Sequence, residues 1–201
     1  MDELLEQGTY VAQQGEVGAL IAMDEYRIEK APNGYKIQSD NVVFGQNGFS
    51  QFAEMIVDDQ WMMQDLHIVV NDKDIELNVT VEDRNVRIKQ RQKQTEVTKE
   101  ISLQFNQYFF LYSGALAIPL IWLRGFDFSF LEKMQYQVLP IGMAEVMQIK
   151  QENISDTRLF SLNIHIGEMS DFINIQTDQS GKVLLYESAL SRLIIKPQLV
   201  C

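Results

Sequence analysis

The chain has 201 residues, of which 46% are hydrophobic, and its 28 acidic and 17 basic side chains give a formal net charge of −11. This length suits a single domain with a sizeable core, and the hydrophobic content argues against global disorder. The acidic balance disfavours sequence-independent binding to nucleic acid and docking on an anionic membrane surface.

Alternation of apolar and polar residues, punctuated by short turn signals, runs through most of the chain. Asn33-Gly34 stands between two alternating segments, which is the strongest short signal for a hairpin. Residues 75–82 alternate strictly, as expected for a strand with one face in solvent. Similar stretches on both sides of the middle predict roughly ten to twelve strands. The sequence therefore predicts a mainly β fold with a large curved antiparallel sheet, as a half-barrel or a barrel.

One uncharged and almost wholly apolar segment, residues 108–123, interrupts this pattern. Its alanine, leucine and aromatic content favours helix over strand, with a kink at Pro119. The segment is shorter than the roughly 20 residues that a membrane-spanning helix needs, so no transmembrane segment is predicted. We predict a helical insert near residues 105–124, wrapped by the sheet, within a single domain of residues 1–201.

Large apolar side chains in and around this segment are candidates for lining an apolar ligand site. Phe126 and Phe128 follow the segment at period two, which places both on one side of an extended stretch, either as ordinary core or as a pocket wall. The candidate ligand-binding residues are Trp61, Phe109, Phe110, Tyr112, Leu116, Trp122, Phe126 and Phe128.

Residue types that carry catalysis or bind metals are sparse. The two histidines, His67 and His165, are far apart in the sequence, and the single cysteine is Cys201. No serine-hydrolase elbow, P-loop or zinc-protease motif is present. We predict no catalytic residue, no metal site and no cofactor, and we expect that the protein is not an enzyme. The acidic start lacks a signal-peptide pattern, which favours a cytoplasmic location, or a periplasmic one if a signal has been removed.

The order of these signals resembles uncharacterised bacterial half-barrel families, among them glycolipid-binding proteins and the lipoprotein-carrier-like fold. The resemblance rests on a phenylalanine-rich insert in the middle of the chain, with Leu139-Pro140 after it, and on shorter signals around it. These are Gly8-Thr9-Tyr10, residues 25–29 followed by residues 33–39, Asp59-Gln60-Trp61 and residues 177–184. It implies a long curved sheet around a helix, with an apolar-ligand site inside, and no catalytic residue to carry over.

Together these features predict a non-catalytic protein that binds a lipid-like or other apolar small molecule between sheet and helix. Two alternatives stay open. The chain could be a protein–protein interaction module or homodimer that presents its apolar elements to a partner. It could also be an enzyme whose site is assembled from residues distant in sequence.

Overall fold

Strands account for most of the chain in the computed structural model. The described residues are 3–15, 18–83, 85–102, 107–111, 120–121, 124, 134–139, 142–166, 168–190 and 192–198. The first eight strands are β1 Glu3–Gln14, β2 Ala19–Ala31, β3 Gly34–Val43, β4 Phe49–Val57, β5 Met63–Val70, β6 Ile75–Glu82, β7 Asn85–Gln92 and β8 Thr95–Ser102. The others are β9 Gln107–Leu111, β10 Met134–Leu139, β11 Gly142–Ile154, β12 Thr157–Ile166, β13 Met169–Asp178, β14 Val183–Ser188 and β15 Leu193–Pro197.

All fifteen strands belong to one sheet, in the order β8-β7-β6-β5-β4-β3-β2-β1-β15-β14-β13-β12-β11-β10-β9. Neighbouring strands are antiparallel throughout, except that β9 and β10 are parallel. The predicted large antiparallel sheet is therefore present, with more strands than expected. Asn33 lies in the turn between β2 and β3, as its Asn-Gly signal predicts.

The predicted central apolar helix is wrong. Gln107–Leu111, at the start of the predicted helix, is strand β9 and pairs in parallel with Met134–Leu139. Among the described residues, a single 3₁₀ turn at Asn71–Lys73 is the one helical element whose first and last residues are both defined. Pairing with β10 overrides the helical preference of this composition, because propensity is a weak prior against tertiary context. Of the remaining insert only residues 120, 121 and 124 are described, and Leu120 and Ile121 are buried in the core.

Buried residues alternate along the strands and fall on one face of the sheet, which we call the inner face. β2 shows the pattern most clearly, because its buried side chains are two residues apart and the exposed Glu25 and Arg27 lie between them. Cross-strand register continues this face through β3 and β4 on one side and through β1 and β15 on the other. The inner-face residues of β1 to β4 include Tyr10, Ala12, Ala22, Asp24, Tyr26, Ile28, Ile37, Ser39, Asn41, Gln51, Ala53, Met55 and Val57.

The sheet has two edges, yet its edge strands are consecutive in the sequence. β8 ends at Ser102 and β9 begins at Gln107, and five residue steps span at most roughly 18 Å. A flat sheet of fifteen strands would separate its edges by roughly 67 Å, at about 4.8 Å per strand. The sheet must therefore roll until its edges approach each other, although β8 and β9 do not pair. Rolling turns the inner face inward and explains its burial.

Candidate functional site

A charged cluster stands on the inner face, centred on Glu6 of β1. Arg124 donates two hydrogen bonds to its carboxylate, Nη1 to Oε2 at 2.8 Å and Nη2 to Oε1 at 2.9 Å. The hydroxyl of Tyr26 donates to Oε1 at 2.7 Å, and Lys182 Nζ lies 3.0 Å from the same oxygen. We call Glu6, Tyr10, Tyr26, Arg124 and Lys182 the Glu6 cluster. Its bidentate arginine–carboxylate pair is the strong type of charged hydrogen bond.

The two tyrosines of the Glu6 cluster stack on each other against β1. Their ring centres are 5.2 Å apart and their planes differ by 19°. Tyr10 donates its hydroxyl to the carbonyl of Val183 at 3.2 Å, which ties β1 to β14. The Tyr26 ring crosses β1 at Gly8, where an added Cβ would lie 2.9 Å from the Tyr26 hydroxyl oxygen. A residue without a side chain at position 8 is what allows Tyr26 to reach Glu6.

Burial and hydrogen bonding fix the charges of this cluster at neutral pH. Burial by itself raises the pKa of Glu6, but hydrogen bonds from Arg124, Tyr26 and Lys182 outweigh it and hold that pKa at about 2. Burial raises the pKa of Tyr10 to about 12, and burial together with the bond to Glu6 raises the pKa of Tyr26. Glu6 is therefore ionised and both tyrosines are neutral at any physiological pH.

Two turns with the same hydrogen-bond pattern reach this cluster, one between β4 and β5 and one between β13 and β14. In each turn a single aspartate Oδ1 accepts the backbone N–H groups two and four residues later. The distances are 2.8 and 2.9 Å for Asp58, and 2.8 and 3.0 Å for Asp178. Such side-chain-to-backbone bonds shape short turns. The two turns therefore have the same local structure, although they connect strands in separate parts of the sheet.

Arg124 lies between these two turns. Its Cζ is 5.6 Å from the centre of the Trp61 ring in the first turn. A Cβ at Gly181 in the second turn would lie 3.5 Å from the Arg124 Cα. In strand order, β4 and β14 are five steps apart (β4-β3-β2-β1-β15-β14), which is roughly 24 Å on a flat sheet. Contact of both turns with one arginine is a second sign that the sheet is rolled.

A row of polar side chains crosses the inner face beside this cluster. Asp24 of β2, Asn41 of β3 and Gln51 of β4 are successive Cα partners, and they are 0%, 1% and 4% exposed. Ser39 donates its hydroxyl to Asp24 Oδ1 at 2.6 Å. We call Asp24, Asn41 and Gln51 the polar row. Burying polar groups costs free energy unless they are hydrogen-bonded, so each polar atom of this row is expected to have a hydrogen-bond partner.

Two atoms of the polar row have no hydrogen-bond partner among the described residues. They are the acceptor Asn41 Oδ1 and the donor Gln51 Nε2. Their neighbours along the strands are small, since Ala22 precedes Asp24 by two residues and Ala53 follows Gln51 by two. Ala22 is 3% exposed and Ala53 is 0% exposed. The inner face therefore combines small apolar residues with unmet hydrogen-bonding capacity at one place.

Of the eight predicted ligand-binding residues, the structure places one beside the Glu6 cluster. Trp61 lies in the turn before β5, with a left-handed φ of 63°, and stacks on Tyr35 at 4.5 Å between ring centres. Phe109 and Phe110 are successive residues of β9. The other five lie outside the described residues, namely Tyr112, Leu116, Trp122, Phe126 and Phe128. The predicted lining as a whole stays a prediction.

Sequence reasoning missed the polar row, although a signal for it existed. Asp24 occupies the apolar register of β2, between the buried Ala22 and Tyr26, and Asn41 and Gln51 break the apolar register of β3 and β4 in the same way. A polar residue at an apolar position in three successive strands indicates a buried polar site. Arg124 gave no comparable signal, because its partner Glu6 is 118 residues away.

The described histidines are not part of this site. His67 of β5 lies 3.2 Å from Glu76 on the opposite face, and His165 belongs to β12. Within the described ranges, no group of three or more His, Cys, Asp or Glu side chains could hold a metal ion. Over the same ranges, no helix has the length and apolarity needed to span a membrane.

Comparison of the sequence with protein-family models and with curated proteins gives no match. Comparison of the structure finds similarity to a beta-barrel-like protein of domain of unknown function DUF1849 from Brucella abortus, with a TM-score of 0.58 and 13% identity. The match covers 96% of this chain and 94% of that chain. At this identity the similarity shows the fold alone. It supports a barrel-like architecture of unknown function, and the resemblance to glycolipid-binding and lipoprotein-carrier-like proteins stays a prediction.

Proposed function

We propose that this protein is a non-catalytic binding protein that holds a lipid-like or other amphiphilic small molecule against the inner face of its rolled sheet. The observation that carries the proposal is the combination on that face of a buried apolar surface and a few buried polar atoms without partners. Sites for small molecules are typically apolar with a small number of placed polar groups. An amphiphile offers both surfaces at once.

Charge states on the inner face favour binding over catalysis. General acid–base catalysis works best with a pKa near the operating pH. The pKa of Glu6 is held at about 2 and that of Tyr10 at about 12, so neither group exchanges protons readily at neutral pH. Arg124 and Lys182 are engaged with Glu6. The cluster therefore supports the interior mechanically, by tying β1 to Arg124 and to the two turns.

Recovery of the ligand tests this proposal. Protein purified under mild conditions and extracted with organic solvent is expected to release an amphiphile in near-stoichiometric amount, identified by mass spectrometry. The stripped protein is expected to bind the neutral apolar dye Nile red with enhanced fluorescence. A clean extract together with absent Nile red binding would contradict the proposal.

A matched pair of variants locates the binding on the inner face. Ala53 and Glu54 are adjacent in β4, so their side chains point to opposite faces. We expect Ala53→Leu to weaken Nile red binding by roughly tenfold because it occupies the interior, and Glu54→Leu to leave binding unchanged. Equal effects of the two substitutions would place the dye elsewhere. Circular dichroism checks that both variants keep the wild-type strand content.

A further inference from the structure

We propose that Asn41 and Gln51 hold the polar group of the ligand, and that this group is an uncharged hydroxyl. The inference rests on the proposed function and specifies the class of amphiphile that it would bind, a neutral long-chain alcohol or another hydroxyl-bearing lipid. It is carried by the hydrogen-bonding capacity of two buried side chains in adjacent strands.

Asn41 presents an acceptor to the interior. Its Nδ2 donates to the carbonyl of Met23 at 3.4 Å. Because a carbonyl oxygen can only accept, this contact sets the orientation of the Asn41 amide and leaves Oδ1 as the second polar atom. Oδ1 is buried and accepts no hydrogen bond from any described residue. A ligand group that donates a hydrogen bond would satisfy it.

Gln51 presents a donor next to that acceptor. The two residues are Cα partners in the β3–β4 ladder, so their side chains leave the same face side by side. Gln51 Nε2 is buried and donates to no described residue, Asn41 included. A buried donor or acceptor left without a partner is unfavourable, because it has lost its hydrogen bond to water. A single bridging group that both donates and accepts would satisfy both atoms.

The donor and acceptor requirement selects among polar groups. A carboxylate can accept from Gln51 Nε2 but cannot donate to Asn41 Oδ1, and an ammonium group has the opposite deficiency. A hydroxyl does both. Ala22 and Ala53, the neighbours of the row along β2 and β4, add no further hydrogen-bonding side chain beside it.

A competing explanation is that one buried water molecule bridges the two atoms, as in many protein interiors. The two explanations differ in what they predict for ligand selectivity. A structural water gives no preference among head groups, whereas a hydroxyl site prefers the alcohol over matched compounds of the same chain length.

Displacement of Nile red by four ten-carbon probes separates these explanations. We expect decanol to bind wild-type protein at least roughly tenfold more tightly than decane, decanoate or decylammonium. Asn41→Leu and Gln51→Leu should each remove most of the preference for decanol over decane, with the two affinities compared within the same variant. Asn78→Leu, the same substitution at an exposed position of β6, should leave the preference intact.

Failure of this inference can be distinguished from failure of the proposed function. If decane and decanol bind wild-type protein equally, or if both leucine variants keep the preference for decanol, the row does not bind a head group and holds water only. If no probe displaces Nile red or binds at all, the proposed function fails as well. The wild-type comparison needs no variant, so it decides the matter even if a leucine variant does not fold.

Discussion

Replacing Gly34 with alanine is expected to destabilise the protein by about 4 kcal/mol or to prevent folding. Gly34 begins β3 with a φ of 148°, a backbone conformation that residues with a side chain rarely adopt. An added Cβ would lie 2.0 Å from the carbonyl oxygen of Val57 and 2.7 Å from the Asp58 Cα. Both contacts are with backbone, which cannot move without disturbing the β3–β4 ladder. Strain and overpacking of this kind produce the largest effects of single substitutions.

Urea denaturation followed by circular dichroism measures this effect, and Gly15→Ala is its control. Gly15 also has a left-handed φ, 78°, but a Cβ there would meet no atom of the described residues within 4 Å. That variant should lose only about 1 kcal/mol, from backbone conformation alone. Equal losses in the two variants would mean that Val57 does not approach Gly34 as closely as the structure shows.

Removing the charge of Arg124 is expected to be the second large perturbation. Arg124→Met keeps much of the apolar stem and leaves the half-buried Glu6 with Tyr26 and Lys182 as its remaining partners among the described residues. Breaking a buried charge pair from one side costs about 3 kcal/mol. Arg87→Met is the control, because its pair with Glu100 is exposed and should contribute less than about 1 kcal/mol.

The pH dependence of stability tests whether the loss in Arg124→Met comes from its ion pair with Glu6. The folded protein holds the pKa of Glu6 at about 2, below its ordinary value of 4.5. Ionised Glu6 therefore stabilises the fold above about pH 4.5, and this contribution is lost as the pH falls towards 2. The difference in unfolding free energy between wild type and Arg124→Met should shrink over that interval. A difference that stays constant down to pH 2.5 would exclude the Glu6 pair as its cause.

The sheet was predictable because its signal is local. Strict alternation over residues 75–82 and the Asn33-Gly34 turn need no knowledge of distant residues, and both appear as strands and hairpin in the structure. The assignment of residues 108–111 to a helix failed because composition alone decided it. β9 is stabilised as a strand by its parallel partner β10, which begins more than twenty residues later. A local sequence pattern does not predict a pairing over that separation.

The site was less predictable than the sheet. Aromatic residues drew attention to Trp61, which does contact Arg124, since large apolar side chains are visible in any sequence. The polar row depends instead on the register of three strands, which decides whether Asp24, Asn41 and Gln51 face the interior or solvent. Charge pairing between Glu6 and Arg124 depends on the rolled shape itself. Such long-range relations leave no local pattern.

The rolled sheet is the claim on which the interior site and its ligand depend, and one distance tests it directly. Spin labels at Lys89 of β7 and Asn153 of β11, both exposed, can be introduced in a Cys201→Ser background. The two strands are eleven steps apart in strand order, which corresponds to roughly 53 Å on a flat sheet. Pulsed electron paramagnetic resonance should give a distance below about 40 Å. Rolling brings the edge strands β8 and β9 towards each other, and β7 and β11 lie close to those edges. A distance of about 50 Å or more would show a flat sheet, and the enclosed interior would not exist.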